Sequence, residues 1–181
     1  MRLNSPQINL ITRACMKASR SLIRDFGEIE NLQVSSKGPG DFVSSADKRT
    51  EKIIIDELRK AHPEYGIITE ESKPINKSNT KNRWIIDPID GTMNFLNGIP
   101  QFSISVGYEE NNEIICGIIF DPIKNETFYA EKGNGAFLNN SRIRNNADTP
   151  HRSNQSLHER ITAMNIFYHF QHINLTNDQR N

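Results

Sequence analysis

Phe102-Ser103-Ile104-Ser105-Val106-Gly107-Tyr108 is the stretch that decides the fold. Apolar Phe102, Ile104, Val106 and Tyr108 alternate with small or polar Ser103, Ser105 and Gly107. That period of two is the mark of a half-buried strand, whose successive side chains point to opposite faces. Downstream, Asn111-Asn112 turns the chain into a second strand, Ile114 to Phe120. Asp121-Pro122 and Lys124-Asn125 turn it into Thr127 to Glu131, and Gly133-Asn134-Gly135 into Ala136-Phe137-Leu138. Short strands separated by turn residues read as an antiparallel meander.

Upstream the period changes. Ile8, Ile11, Cys15, Ala18, Leu22 and Phe26 recur at steps of three and four, one face of an amphipathic helix. Pro6 suits its first turn and Gly27 its end. Gln33 to Val43 contains Gly38-Pro39-Gly40 and reads as a strand broken by a tight loop. Ser44, with Asp47 three residues on, fits the cap of a second helix lined by Ile54, Ile55, Leu58 and Ala61 and stopped by Pro63. Gly66 to Thr69 and Trp84 to Ile86 are short apolar runs that read as buried strands, with a polar loop from Lys73 to Arg83 between them. Helices first and a meander afterwards predict an α+β fold, helices layered on an antiparallel sheet.

The chain has 181 residues, with 22 basic and 22 acidic side chains and a formal net charge of zero. No global field draws it to nucleic acid or an anionic membrane, and its densest basic run, Arg142 to Arg144, is short. Neither partner is expected. The longest apolar run, Ile114 to Phe120, is far below the about 20 residues of a membrane span, and Met1 to Asn9 has no signal-peptide core. A soluble, cytoplasmic protein is the expectation. Cys15 and Cys116 stand among apolar neighbours and read as buried, reduced thiols.

The last stretch differs from the rest. No glycine follows Gly135 and no lysine follows Lys132, while four of five histidines fall after residue 150. The expected division is therefore 1–144 for the folded part and 145–181 for a tail, disordered or frameshifted, with a weak helical run from Leu157 to Phe170.

Three carboxylates stand out: Glu70, Asp87 and Asp90. Asp87 closes an apolar run and Asp90 follows one turn later, between Ile89 and Gly91. A tight turn with this spacing can aim both acids at one point, where they repel each other unless a cation intervenes. Oxygen ligands suit magnesium or manganese rather than zinc. Spacing alone leaves metal binding and a plain turn with two capping acids equally open. Taken singly, Glu70 reads as a solvated strand end, Asp47 as a helix cap and Lys37 as a charged loop residue.

Trp84-Ile85-Ile86-Asp87-Pro88-Ile89-Asp90-Gly91-Thr92 resembles the signature of the inositol monophosphatase family. Ile68-Thr69-Glu70-Glu71-Ser72 resembles that family's paired-glutamate element. Asp41 to Asp47, Phe120-Asp121-Pro122 and Gly133 to Phe137 are also similar, so the likeness covers most of Ile8 to Arg144. It implies a layered sugar-phosphatase fold, incomplete at its C-terminus. It implies that Glu70, Asp87 and the carbonyl of Ile89 hold one Mg2+ (or Mn2+), and that Asp87 bridges to a second ion bound by Asp90. Ile89, Asp90, Gly91 and Thr92, with Glu70, would bind the substrate phosphate. Thr92 paired with Asp47, and Glu70, would orient and deprotonate the attacking water. Lys37 would stand in the outer shell. The implied reaction is direct in-line hydrolysis of a phosphate monoester, inositol 1-phosphate above all, with lithium inhibition as a family trait. The resemblance also allows a homodimer.

The likeness has departures. Thr69 replaces the family's glycine and Met93 its threonine, while Trp84 is the only tryptophan, so the family's late Trp-Asp element is missing. On this reading the strands Phe102 to Tyr108 and Ile114 to Phe120 lose a covering layer and expose apolar surface. Two alternatives follow: a catalytically inactive, truncated or partner-binding remnant, and a nucleotide 3′-phosphatase of the same superfamily. Met93-Asn94-Phe95 is closer to the inositol type than to the nucleotide type.

Overall fold

The strands that the alternation predicts lie side by side in chain order. A computed structural model describes residues 4–32, 39–70, 72–75 and 81–143. Among them are strands β1 (Gly66–Thr69), β2 (Asn82–Asp90), β3 (Ser103–Glu110), β4 (Glu113–Asp121), β5 (Glu126–Glu131), β6 (Gly135–Leu138) and β7 (Ser141–Ile143). They form one sheet in the order β1-β2-β3-β4-β5-β6-β7. Only β1 and β2 run parallel; every later pair is antiparallel. The β3–β4 turn is Asn111-Asn112, with φ of 52° and 63°. Two successive positive φ values make the tight hairpin turn for which asparagine is well suited.

Two long helices, α1 (Pro6–Leu32) and α2 (Pro39–Ala61), pack on each other and cover one face of the sheet. Ser5 caps α1: its hydroxyl accepts the Ile8 N–H at 3.3 Å, with Pro6 in the first turn. Ile8, Ile11, Cys15, Ala18 and Leu22 of α1 and Ile54 and Leu58 of α2 are buried against Ile104, Val106, Cys116 and Ile118 of the sheet. Trp84 is fully buried beside Tyr65 and Tyr108, with ring centroids 5.7 and 5.1 Å away. A smaller cluster, Ile68, Ile85, Ile114, Phe128, Ala130 and Ile143, lies apart from this core.

Several expectations are corrected. Gly27 does not end α1, which runs on to Leu32. A glycine inside a helix costs about 1 kcal/mol, which packing of the buried face overrides. Helix α2 begins at Pro39, so Ser44 is not its cap. Proline and glycine are tolerated in a first turn, where the N–H groups have no helical partner. Residues 39–43 are therefore helical rather than a broken strand; Gln33 to Gly38 lie outside the described residues. Within the expected loop from Lys73 to Arg83, Ile75 bridges to Ile67 and β2 already starts at Asn82. Most apolar side chains of β3 and β4 are buried and Ile115 and Ile119 are half-buried, so no fully exposed apolar side chain is found on these strands among the described residues. Strand β7 and a short helix, α3 (Thr92–Leu96), were not legible in the pattern. The boundary at 144 and the tail 145–181 fall outside the described residues.

Candidate active site

Strand β2 does not stop at Asp87 but continues to Asp90. Asp87 lies opposite Ser105 on β3 and Asp90 opposite Ser103, with a register shift between them. Three steps on β2 thus match two on β3, the signature of a β-bulge. In a regular strand, residues three apart point to opposite faces. Ser103 and Ser105 share a face, so the bulge brings Asp87 and Asp90 to that same face. Pro88, which has no N–H to give a ladder, sits within the bulge, as prolines in sheets do. The convergence that the sequence attributes to a tight turn comes from this bulge.

Glu70 reaches the same place from β1. Thr69 is the register partner of Ile86, and the Glu70 N–H donates to the Ile86 carbonyl at 3.2 Å. The next residue on each strand is then Glu70 beside Asp87. Thr69, in place of the family's glycine, is buried, and its hydroxyl accepts the Ser72 N–H at 2.9 Å. Asp47 arrives from α2, where it is buried on the sheet-facing stripe.

The electrostatics record the crowding. Burial first, then the charges of Asp90, Glu70 and Asp47 and a hydrogen bond with Glu70, push Asp87 up to about 9. Asp87 is 4 % exposed, whereas Glu70 is exposed and Asp90 half-exposed. One buried carboxyl holding its proton among three others is how such a cluster limits its own repulsion. Among the described residues, no three Asp, Glu, His or Cys side chains already form a finished cation cage.

Gly91 turns the chain out of β2 with φ of 92°. A Cβ here would stand 3.1 Å from the Gln101 carbonyl oxygen and 3.4 Å from the Phe102 Cα. Its carbonyl accepts the Asn94 and Phe95 N–H groups at 2.9 and 3.1 Å, which starts α3. Phe95, fully buried, wedges α3 against Phe26 and Phe102, with ring centroids 5.6 and 4.9 Å away. The Thr92 hydroxyl donates to the Ile89 carbonyl at 2.9 Å. A carbonyl oxygen has two lone pairs, so this one contact does not use up its acceptor capacity.

The structure therefore brings together Asp47, Glu70, Asp87 and Asp90, with Ile89 in the bulge between the last two and Gly91 and Thr92 on the turn that follows. Lys37 lies outside the described residues. Sequence reasoning missed two serines. Ser103 donates to Asp90 Oδ2 at 3.4 Å, and Ser105, fully buried opposite Asp87, has a hydroxyl with no hydrogen-bond partner among the described residues. The signal was there, since β3 alternation puts both on one face; only the register shows that the face is the acidic one.

The inositol monophosphatase family profile matches residues 4–174. An inositol-1-monophosphatase of Mesorhizobium japonicum is 50% identical over 140 residues, covering 77% of this chain and 53% of the relative. A protein named Nus factor SuhB from Haemophilus influenzae is 39% identical over 140 residues, covering 77% of this chain and 52% of the relative. The crystal structure of extragenic suppressor protein SuhB from Bartonella henselae matches with a TM-score of 0.70 and 51% identity, over 79% of this chain and 55% of that one. The chain spans about half the length of the curated relatives it matches. On the strength of the profile match and these likenesses, the chain belongs to the inositol monophosphatase family.

Proposed function

We propose that this chain carries the acidic centre of a magnesium-dependent phosphate monoester hydrolase that acts on a small phosphorylated polyol such as inositol 1-phosphate. The observation that supports it is the bulge at Pro88-Ile89, which sets Asp87 and Asp90 on one face beside Glu70 and Asp47. The donor set fits hard divalent ions: three carboxylates (Glu70, Asp87 and Asp90) and one carbonyl, with no thiolate or imidazole among the described residues beside them. Glu70, Asp87 and the Ile89 carbonyl would hold one ion, with Asp87 shared and Asp90 completing this chain's contribution to a second. When bound, such ions polarise the phosphoryl group and supply a nucleophile at neutral pH.

The chain's own residues do the rest. Gly91 and Thr92 open α3, whose first N–H groups lack helical partners and suit phosphate oxygens. Glu70, exposed at the strand end, and Asp47 with Thr92 would orient water and accept its proton. Lys37 would temper the negative charge from outside. Inositol 1-phosphate is favoured by the name of the Mesorhizobium relative, while the SuhB-named relatives show that the family is varied.

A second reading, a chain that binds without turnover, is favoured by one observation: the described residues form no finished cation cage. Phosphate release separates the readings. The proposal expects magnesium-dependent release from inositol 1-phosphate, abolished by Asp90→Asn, and little from a 3′-phosphonucleotide. No magnesium-dependent release from either substrate would refute turnover by this chain.

A further inference from the structure

The outer helical layer gathers cations that are scattered along the sequence. On α1, Arg13, Lys17, Arg20 and Arg24 are all exposed and recur at steps of four, three and four. At 100° per residue they fall on one stripe, about 16 Å long at 1.5 Å per residue. On α2, Lys48, Lys52 and Arg59 are exposed along a second line. Arg49 and Lys60 fill the space between the lines. Arg49 reaches Asp25 of α1 at 3.0 Å, and Lys60 shares Glu57 with Lys17, each at 2.6 Å.

The acids of these helices balance the cations only in part: Asp25 and Glu57 pair with four of the nine. Asp25, Asp47, Glu51 and Glu57 are buried. Glu28 and Asp56 are the exposed acids among the described side chains of the two helices. Arg13, Arg20, Lys48, Lys52 and Arg59 have no ion-pair partner among the described residues. A shallow cleft of about 450 Å³, lined by Lys17, Ile53, Asp56, Arg59 and Lys60, lies within this face. Among the described side chains, a chain of zero formal charge thus presents one basic side.

We propose that this face is a docking surface for the phosphate backbone of a nucleic-acid duplex, RNA or DNA. Arginines supply five of the nine cations, and their forked donors match phosphate oxygens. The described side chains of the face include no exposed aromatic on which unpaired bases could stack. Met16 and Ile23, the only exposed large apolar residues among its described side chains, stand too few for insertion into a lipid surface. They also fall short of the apolar centre of a stable protein interface. Contacts to phosphates alone position a duplex without reading its sequence. Reading runs of consecutive residues finds no basic patch here, because helical spacing rather than adjacency assembles it.

The test is fluorescence anisotropy of the full chain with a labelled 20-base-pair RNA duplex and its DNA counterpart. Five neutralised phosphates give a slope of about −4.5 in log affinity against log salt, or roughly a 500-fold loss from 50 to 200 mM. The variant Arg13→Glu/Arg20→Glu/Lys52→Glu/Arg59→Glu should lose nearly all binding and most of that slope. Two controls should bind within about twofold of the parent: the charge-retaining Arg13→Lys/Arg20→Lys/Arg59→Lys, and Lys124→Glu/Lys132→Glu on the strand side. Circular dichroism confirms that each variant is folded. Any one of three results overturns the proposal: no saturable duplex binding at 50 mM salt, undiminished binding by the charge-reversed variant, or tighter binding to phosphatidylserine vesicles or polyglutamate than to either duplex.

Discussion

Gly91 and Gly27 offer the same substitution, glycine to alanine, with opposite expected signs. At Gly91 the backbone has φ of 92°, where an L side chain is strained. That strain costs about 1–2 kcal/mol. The new Cβ would also stand 3.1 Å from a backbone carbonyl, that of Gln101, which is pinned in turn by the Asn94 side chain at 2.7 Å. An atom held there cannot yield cheaply, so the total is about 2–3 kcal/mol. At Gly27 the backbone is helical and no atom lies within 4 Å of the added methyl. There alanine should stabilise by about 0.5–1 kcal/mol. For a domain of this size each kcal/mol shifts Tm by about 2–4 °C. Thermal and urea denaturation should show Gly91→Ala melting about 4–12 °C below the parent and Gly27→Ala about 1–4 °C above it. A Gly91→Ala variant as stable as the parent would refute the turn geometry on which the site is built.

Three further outcomes are expected. Hydrogen bonds from Lys17 and Lys60 pull Glu57 down to about 2, so its stabilising contribution is present above its ordinary pKa of 4.5 and lost as pH falls toward 2. The Tm gap between parent and Glu57→Gln should therefore be full at pH 6 and shrink steadily from pH 4.5 to 3. Asp87 is shifted the other way: its own contribution to the stability of the cation-free fold is full below its ordinary pKa of 3.8 and is lost as pH rises toward 9. Asp87→Asn should flatten that decline in a pH series of urea melts done in chelator. Cys15 and Cys116 are fully buried, and burial pushes both thiols up to about 12. A thiol reagent should label neither in the native protein at pH 8 and both in denaturant.

What the sequence reveals and what it hides have physical reasons. The β3 alternation and the apolar steps from Ile8 to Phe26 are legible because burial on one face leaves a periodic trace. Element ends are less so. Gly27 and the Gly38-Pro39-Gly40 run look like breakers, yet helix interiors accept glycine when one face is well packed, and first turns accept proline. The five residues of α3 are too few to show a period, and what holds them is the Phe26-Phe95-Phe102 contact between distant segments. Glu70, Asp87 and Asp90 could be named as a group from their positions, but not the bulge that joins them, because register belongs to a pair of strands. For the same reason Ser103 and Ser105 read as outward polar residues rather than neighbours of the acids.

The proposed chemistry rests on Asp87, Asp90 and Glu70 forming a site for divalent cations. Isothermal titration of the chelator-treated chain with Mn2+ and Mg2+ tests it without recourse to turnover. Saturable binding by the parent is expected, with proton release as Asp87 ionises, and its loss in Asp87→Asn/Asp90→Asn at unchanged fold. Equal binding by parent and double variant, or none by the parent, would contradict it.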